Sequence, residues 1–342
     1  MADRLLEPYV AALDAFPVTG GQTEKLRAAV RFAVLAPSTH NTQPWLFRVG
    51  PGGLDLLADR ARGLPVVDPQ DRALVMSCGA ALYTLCLTLR RFGCREVVTL
   101  FPEPHDPDVL ARVTLDGVHT PTDEDVALFS AIPERRTSRL PFEERKPSAA
   151  LLMGLETAAV REGAWLQTVS GFDRDALADL IAEGDRIQMA DRHFRRELAA
   201  WMTPNRSRSR DGIPGYALGL GDLMSAAGPL VMRTFDLGMG RAAKDRELAL
   251  GSPVLCALGT TGDGPSDWLM AGQALQHVLL RAWLEGVAAS FLNQAVEVPE
   301  LRHRLQRLTG FQGFPQLILR LGFGGRSTPP TPRRPVADVL VD

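Results

Sequence analysis

Two stretches of the sequence, 193 positions apart, match each other and strongly constrain the fold. Residues 78–82, Cys-Gly-Ala-Ala-Leu, align with residues 271–275, Ala-Gly-Gln-Ala-Leu, and the same offset carries Gly93 onto Gly286. Each stretch belongs to a long segment with apolar residues at helical spacing, which a glycine ends and a strand-like segment follows. Helix, stop glycine and strand therefore recur together, which predicts a duplicated structural unit. We expect the boundary between the two units near residue 130.

Hydropathy spacing and turn residues predict the elements of both units. The first unit is predicted to contain a helix over Leu5–Phe16, a helix capped by Thr23, a strand hairpin over 45–49 and 54–58, the long helix over 74–92, and strands over 97–101 and 111–115. The second is predicted to contain a helix capped by Ser148 and ending near 160, a strand over 165–169, helices over 173–190 and 192–201, a strand over 253–258, the second long helix capped by Ser266 or Asp267, and strands over 288–292 and 317–321.

Composition excludes several classes of protein. The 342 residues are 45% hydrophobic and 23% charged, as in ordinary globular proteins. A net charge of −2 leaves no basic footprint for nucleic acid, and no apolar run reaches the roughly 18 residues that span a bilayer. The four cysteines and six histidines show no metal-ligand spacing. Without a recognisable secretion signal, we expect a cytoplasmic protein.

The run from Leu35 to Trp45 is the most specific motif. Pro37 ends a predicted helix, because the residue before a proline is pushed out of the helical region. Ser38, Thr39 and Asn41 then follow without an apolar period, so they suit either a helix-to-strand turn or contacts to a planar polar ligand. The full run resembles the A-P-S-x-x-N-x-Q-P-W signature of the FMN-dependent nitroreductase family. That resemblance implies that Pro37, Ser38, Thr39 and Asn41 touch the flavin from across a subunit interface.

An arginine-rich turn begins the second unit. Residues 135–139 read Arg135-Arg136-Thr137-Ser138-Arg139, and guanidinium groups with a hydroxyl suit a dianionic phosphate. A solvated basic turn would have the same composition. The turn resembles the R-R-S-x-R phosphate-binding turn of the nitroreductase family, with Thr137 where serine is usual. The resemblance implies that Arg135, Arg136, Thr137 and Arg139 bind the FMN phosphate.

Two further segments resemble family elements. Residues 291–294, Phe-Leu-Asn-Gln, follow the second long helix, and the resemblance implies that Phe291, Asn293 and Gln294 lie along one face and edge of the flavin. On residue type alone, they could equally be a polar strand end. Arg333 and Arg334, between two prolines, resemble a C-terminal basic pair that reaches the same phosphate. A disordered proline-rich tail is the alternative.

The two units have complementary losses. The first carries the signature turn but no arginine turn ahead of its long helix. The second carries the arginine turn, but Arg161–Ala164 stands where the signature should recur. This predicts one complete FMN site per chain. Residues 203–245, rich in glycine and large apolar residues, are predicted to be a lid over the flavin, or else a peripheral helical insertion.

Two glycine-rich stretches do not support nucleotide-binding loops. Residues 322–325 follow a strand but are succeeded by prolines rather than a helix, and residues 259–264 lack the Walker lysine. No G-x-S-x-G elbow accompanies a histidine and an aspartate. A dinucleotide fold, a P-loop and a serine hydrolase are therefore not supported.

The chain as a whole resembles the Acg-type branch of the nitroreductases, in which a dimer's two subunits are fused. The implied fold is α+β, with two antiparallel-sheet and helix units, residues 1–130 and 131–342, forming an intramolecular pseudo-dimer with FMN at its interface. The implied function is hydride transfer from NAD(P)H through FMN to small electron-poor aromatics or quinones, with no catalytic side chain and no metal. The alternatives are an FMN-storage protein with little turnover and, more remotely, a scaffold without flavin. We expect no nucleic-acid or membrane partner and a monomer or weak dimer.

Overall fold

The computed structural model describes residues 16–310, 313–324 and 328–342. The helix predicted over Leu5–Phe16 lies outside the described residues, apart from Phe16. Residues 16–131 are called the N-terminal half and residues 132–342 the C-terminal half.

The N-terminal half is an antiparallel sheet packed on a long central helix. Its elements are helix α1 (Gln22–Ala33), strands β1 (Trp45–Gly50) and β2 (Gly53–Ala58), helix α2 (Arg72–Arg91), strands β3 (Cys94–Leu100) and β4 (Val109–Val118), and helix α3 (Asp123–Ala131). Apolar side chains of α2 such as Leu82 and Leu85 are buried with Phe47, Leu54 and Leu56 of the sheet. The predicted cap at Thr23 is wrong, because Gly21 caps α1 and donates its N–H to the Glu24 carboxylate at 2.9 Å.

The C-terminal half repeats this plan and adds an insertion. Its elements are helix α4 (Ala149–Arg161), strand β5 (Trp165–Val169), helices α5 (Gly171–Ala190) and α6 (Arg192–Trp201), short strands β6 (Met202–Thr203) and β7 (Ile213–Pro214), helices α7 (Asp222–Thr234) and α8 (Gly238–Gly251), strand β8 (Val254–Thr260), helix α9 (Pro265–Leu284), strand β9 (Val287–Phe291), helices α10 (Gln294–Glu297) and α11 (Pro299–Thr309), and strands β10 (Phe314–Phe323) and β11 (Leu340–Val341).

One expectation for the C-terminal half needs correction. Helix α9 starts at Pro265 rather than after Ser266 or Asp267, because the Asp267 carboxylate accepts the N–H of Gly264 from inside the first turn, at 3.0 Å. Residues 203–245 contain helix α7 and half of α8, although their sequence shows little helical period. Helix α7 carries Pro229 in its interior and is largely exposed, so its apolar residues do not follow one buried face.

The two sheets have the same strand order. The N-terminal sheet runs β1-β2-β4-β3 and the C-terminal sheet runs β5-β8-β10-β9, with all these neighbours antiparallel. In chain order, α2 follows the second strand of one sheet and α9 follows the second strand of the other. Strand β11 then crosses back and pairs in parallel with β1, which joins the end of the chain to the N-terminal sheet.

Helices α2 and α9 cross at the two glycines that the repeat aligned. A Cβ on Gly79 would lie 2.1 Å from the Leu269 carbonyl oxygen and 3.0 Å from the Gly272 Cα. A Cβ on Gly272 would lie 2.0 Å from the Met76 carbonyl oxygen. Met76 and Leu269 are themselves 193 positions apart. Only glycine allows such a close approach of two helix backbones.

A second set of contacts along the same helices is reciprocal as well. Tyr83 stacks on His277 with ring centroids 5.0 Å apart, and Gln276 donates to the Thr84 hydroxyl at 3.0 Å. Under the offset of 193, Gln276 corresponds to Tyr83 and His277 to Thr84. Tyr83 thus contacts the equivalent of Thr84, while Thr84 contacts the equivalent of Tyr83. Such reciprocal contacts are the pattern of an isologous two-fold interface.

Among the helices of the described chain, α2 alone is long and apolar enough to cross a bilayer. However, 94% of its apolar stretch is buried inside the protein, where it forms the core contacts above. The apolar character of α2 is therefore explained by its central position. The cytoplasmic location stays a prediction.

Candidate functional site

A cavity of about 450 Å³ lies between the two halves, within the usual size range of small-molecule sites. It is lined by twelve of the thirteen predicted site residues: Pro37, Ser38, Thr39, Asn41, Arg135, Arg136, Thr137, Arg139, Phe291, Asn293, Gln294 and Arg333. The fold therefore brings the signature turn of one half to the arginine turn of the other. Their roles toward a ligand stay predictions.

The signature turn has an unusual backbone. His40, Asn41 and Gln43 have φ angles of 50°, 57° and 52°, in the left-handed region that residues with a Cβ rarely adopt. The Ser38 hydroxyl accepts the N–H of Gln43 at 2.9 Å and holds the turn closed. Such strained conformations persist where surrounding contacts over-determine them, and they cluster at ligand sites.

Asn41 connects the signature turn to two distant segments. Its amide nitrogen donates to the carbonyls of Gly212, at 3.0 Å, and Pro332, at 3.1 Å. Its amide oxygen accepts a hydrogen bond from Arg333 at 3.0 Å. Because these bonds occupy both ends of the amide, Asn41 acts in this structure as a tie between the turn, the insertion and the C-terminal segment.

The arginine turn is attached to the C-terminal sheet at several points. Thr137 forms a parallel bridge with Ala289 of β9, and the Ser138 N–H donates to the Ala289 carbonyl at 2.9 Å. From β10, Arg320 donates to the carbonyls of Ser138, at 3.2 Å, and Leu140, at 3.0 Å. Arg320 was not predicted as a site residue, because it lies in the middle of a largely apolar strand.

The arginine turn contributes one buried guanidinium, that of Arg135, to the cavity lining. Arg135 is 7% exposed, and its Nε has no acceptor among the described residues. Burial, and then the charges of Arg333 and Arg136, lower the pKa of Arg135 to about 9. A buried guanidinium surrounded by like charge is costly unless an anion pairs with it. This donor set therefore fits a phosphate dianion.

The predicted basic pair separates. Arg333 lines the cavity, whereas Arg334 turns the other way and donates to the carbonyls of Gln43, at 3.1 Å, and Asp338, at 2.7 Å. It also reaches the Asp59 carboxylate at 3.4 Å. Of the predicted pair, only Arg333 therefore lines the cavity in this structure.

Arg139 lies apart from the other arginines of the turn. It donates to the Ala217 carbonyl at 3.3 Å. Burial, and then the charge of Arg241, lower its pKa to about 10, and Asp245 opposes this effect. The charges that act on Arg139 thus come from helix α8, whereas those acting on Arg135 come from Arg333 and Arg136. That both arginines hold one phosphate stays a prediction.

The segment after β9 is fixed by the protein around it. The Asn293 amide oxygen accepts the N–H of Ile318 at 2.9 Å. Gln294 donates to Asp185 at 3.2 Å and to Asp245 at 2.8 Å. Burial raises the pKa of Asp185 to about 7; the Arg241 charge lowers it and the Asp245 charge raises it. Asp185 lies on helix α5 and Asp245 on helix α8, and neither was predicted as a site residue.

The insertion supplies one wall of the cavity. Gly212, Ile213, Ala217, Leu218 and Met232 line it, together with Arg241, Lys244 and Asp245 of α8. The insertion also packs on the N-terminal half, where Leu64 and Val67 join its apolar cluster. The position is the one expected of a lid, and control of access stays a prediction.

The sequence matches those of known proteins over nearly the whole chain. The sequence is 33% identical to the "Putative NAD(P)H nitroreductase Rv3131" of Mycobacterium tuberculosis, across 93% of this chain and 91% of that protein. It is 29% identical to the "Putative NAD(P)H nitroreductase acg" of the same organism, across 95% and 97% of the two chains. No family model matches the chain.

Solved structures show a more distant likeness. The FMN and NADPH-dependent nitroreductase NfnB from Sphigopyxis matches at 22% identity, with a TM-score of 0.42 over 63% of this chain and 97% of that chain. NfnB from Mycobacterium smegmatis, in complex with NADPH, matches at 15% identity with a TM-score of 0.41, over 64% and 99%. These matches are too distant to add to the assignment, which rests on the sequence relatives. The chain belongs to the nitroreductase family, in the branch that includes Acg.

Proposed function

We propose that this protein is an FMN-dependent oxidoreductase that transfers electrons from NAD(P)H to small electron-poor aromatics or quinones. The observation that carries the proposal is the buried Arg135 of the arginine turn, in the lining of the same cavity that the signature turn lines. Arg135 has no acceptor for its Nε among the described residues, and its neighbours Arg136 and Arg333 are cationic as well. Family membership supplies the nicotinamide donor, which the names of the mycobacterial relatives include.

The residues present fit FMN in two parts. Arg135, Arg136, Thr137 and Arg333 would hold the phosphate, because all four line the same cavity and carry hydrogen-bond donors that suit a dianion. The signature turn and the segment Phe291–Gln294 would hold the ring system from opposite halves. Bound FMN supplies the hydride chemistry. The chain itself binds and orients the ligand and excludes water, and no side chain is assigned a covalent or acid–base step.

We further infer that the two halves correspond to the two subunits of an ordinary nitroreductase dimer. The shared strand order and the reciprocal contacts across α2 and α9 support this view. The domains would then meet near residue 131, at the end of α3. A single chain would contain the interface that two subunits otherwise form, so no second copy is needed to complete the site.

The test begins with the absorbance spectrum of the purified protein and identification of any released chromophore. We expect a flavin spectrum, released FMN, and steady NAD(P)H consumption when a nitroaromatic or a quinone is added. Bound FMN without turnover would instead support a storage role. Purified protein that neither contains FMN nor binds added FMN would contradict the proposal and leave the scaffold role.

A further inference from the structure

A second cavity of about 560 Å³ adjoins the first. The two cavities share part of their lining, including Arg139, Ala217, Leu218, Lys244 and Arg320. The second cavity extends away from the signature turn, which contributes no residue to its lining. A molecule in one cavity could therefore reach the other past Arg139 and Lys244.

The shared wall carries Arg139, Lys244 and Arg320, and the Asp245 carboxylate in the first cavity's lining acts on both arginines without forming an ion pair with either in the described residues. Among the described residues, no carboxylate forms an ion pair, at 4 Å or less, with Arg139, Arg320 or Lys244. Glu247 is the one acidic residue of the second cavity's lining, and it is exposed. The lining thus carries three cations and one anion, an imbalance that an anionic ligand would relieve.

Arg320 is the most buried of these cations. It is 1% exposed, and its Nε has no acceptor in the described part of the chain. Its two terminal nitrogens donate to backbone carbonyls of the arginine turn, so none of its described hydrogen bonds is to a carboxylate. Burial lowers the pKa of both Arg320 and Arg139 to about 10; the Asp245 charge opposes this at both, while Arg139 adds to the effect at Arg320 and Arg241 adds to it at Arg139. Both groups are thus held charged at neutral pH against a desolvation cost.

Most of the remaining lining of the second cavity is apolar or aromatic, with Ser252 and Thr328 as polar exceptions. Its lining includes Leu140, Pro141, Phe142, Tyr216, Leu248 and Pro329. The Phe142 ring lies under the Arg320 guanidinium, 4.5 Å from its centroid. Fixed guanidinium donors beside an apolar wall suit a ring or chain that carries an anionic group, because each part of such a ligand meets a matching surface.

We propose that the second cavity binds the anionic group, a carboxylate or a phosphate, of the electron donor or acceptor, while the reacting ring lies in the first cavity. The phosphate of FMN would occupy the separate cluster of Arg135, Arg136 and Arg333, which leaves Arg320 and Lys244 for this second anion. The inference rests on the proposed function for the identity of the ligands. The anion site itself follows from the charges and the cavity.

The direct test uses FMN-loaded protein and two redox-inert probes, nicotinate and its neutral counterpart nicotinamide. Titration calorimetry and the flavin absorbance report binding. A charge-assisted contact should make nicotinate bind about ten times more tightly than nicotinamide at low salt, and added salt should reduce the difference. Equal affinities for the two probes would overturn the proposal.

A matched pair of variants locates the site. Lys244→Ala should weaken nicotinate binding several-fold and leave nicotinamide binding unchanged. Arg246→Ala, two positions along the same helix, is the control, because Arg246 pairs with Asp179 and lines neither cavity. Equal nicotinate affinity in Lys244→Ala and wild type would contradict the assignment. Neither residue is buried, so both variants should fold.

Steady-state kinetics distinguish the two sources of the anion. If the acceptor supplies it, Lys244→Ala should raise KM for para-nitrobenzoate but leave KM for nitrobenzene unchanged. If the donor supplies it, KM for NAD(P)H should rise with either acceptor. No change in any of these KM values would count against the proposal. Should the protein prove not to bind FMN, the proposed function fails, while calorimetry of nicotinate with the flavin-free wild type and Lys244→Ala still tests the anion site.

Discussion

The connection between the first two strands of the sheet differs greatly between the two halves. In the N-terminal half, β1 and β2 are joined by a turn at Pro51 and Gly52. In the C-terminal half, the corresponding strands β5 and β8 are joined by residues 170–253, which form four helices. The strand order is unchanged. Because a hairpin connection lies outside the sheet, a long insertion there leaves the core intact.

The contrast shows where symmetry is kept and where it is lost. At the centre, α2 and α9 keep reciprocal contacts around Gly79 and Gly272. At the periphery, one half supplies the signature turn, whereas the other supplies the arginine turn and the insertion. Close helix packing tolerates little change, while turns and connections can diverge. The result is one cavity with contributions from both halves.

The largest expected effect tests the symmetric centre. Gly79→Ala and Gly272→Ala should each lower the free energy of unfolding by about 3 kcal/mol, the upper part of the usual range for overpacking, because each new Cβ would meet a backbone oxygen. Urea unfolding measures the change. Gly240→Ala is the control, since nothing lies within 4 Å of its added Cβ. A large loss in one variant and none in its counterpart would contradict the equivalence of the two helices.

The asymmetric periphery predicts one flavin per chain. Titration of stripped protein with FMN should saturate at one equivalent, since a second site would need an arginine turn before Thr23 and a signature turn near Gly163. At a free concentration about 100 times its dissociation constant, FMN should add roughly 2.7 kcal/mol to the free energy of unfolding, as expected for one site. Asn41→Ala and Arg135→Ala should weaken this same event. Saturation at two equivalents would show that the halves kept both sites.

The arginine turn should account for much of the phosphate affinity. Arg135→Ala should weaken FMN binding by roughly tenfold to a hundredfold, because a hydrogen bond to a charged group contributes about 1.5–3 kcal/mol. The double variant with Arg139→Ala measures whether Arg139 shares the same phosphate. Arg95→Ala, at an exposed pair in the N-terminal half, serves as the control. Unchanged FMN affinity in Arg135→Ala would remove this residue from the site.

Asp185, on helix α5, leads to a prediction about how folding stability depends on pH. The pKa of Asp185 is raised from about 3.8 in the unfolded chain to about 7 in the fold. Protonation therefore favours the folded state, and this contribution is lost as the pH rises from about 4 through 7. We expect Asp185→Asn to lose less stability than wild type between pH 5 and pH 8. Asp116→Asn, at an exposed carboxylate, should behave like wild type. Parallel pH profiles for Asp185→Asn and wild type would contradict the assigned protonation.

The smallest effect distinguishes a lid from a peripheral insertion. A specific protease site placed between Ser207 and Arg208, both exposed, allows the insertion to be cut in the folded protein. Cutting should increase quenching of flavin fluorescence by iodide, because residues 212–245 contribute to the cavity wall. The same site placed at Gly52 cuts the short connection of the other half and should leave quenching unchanged. Equal quenching before and after cutting at 207–208 would favour the peripheral alternative.

Much of the architecture could be predicted from the sequence, because it depends on local periodicity. The spacing of apolar residues in α2 and α9, and the stop glycines after them, located both helices and their shared offset. The signature and arginine turns were identified by residue type and order. Helix α7 was missed, because an exposed helix with an interior proline lacks the single apolar face that a periodicity search detects.

Local sequence patterns thus predicted the positions of most strands and helices and the offset between the two long helices, and the family resemblance supplied the twelve predicted residues that line the cavity. Neither could tell which of two adjacent arginines faces that cavity: Arg333 lines it, whereas Arg334 donates to the Gln43 carbonyl. It is the tertiary packing that places Arg320, from a strand, and Lys244, from the insertion, beside Arg139. Contacts between residues far apart in the chain depend on how the elements pack, and no local pattern encodes that packing.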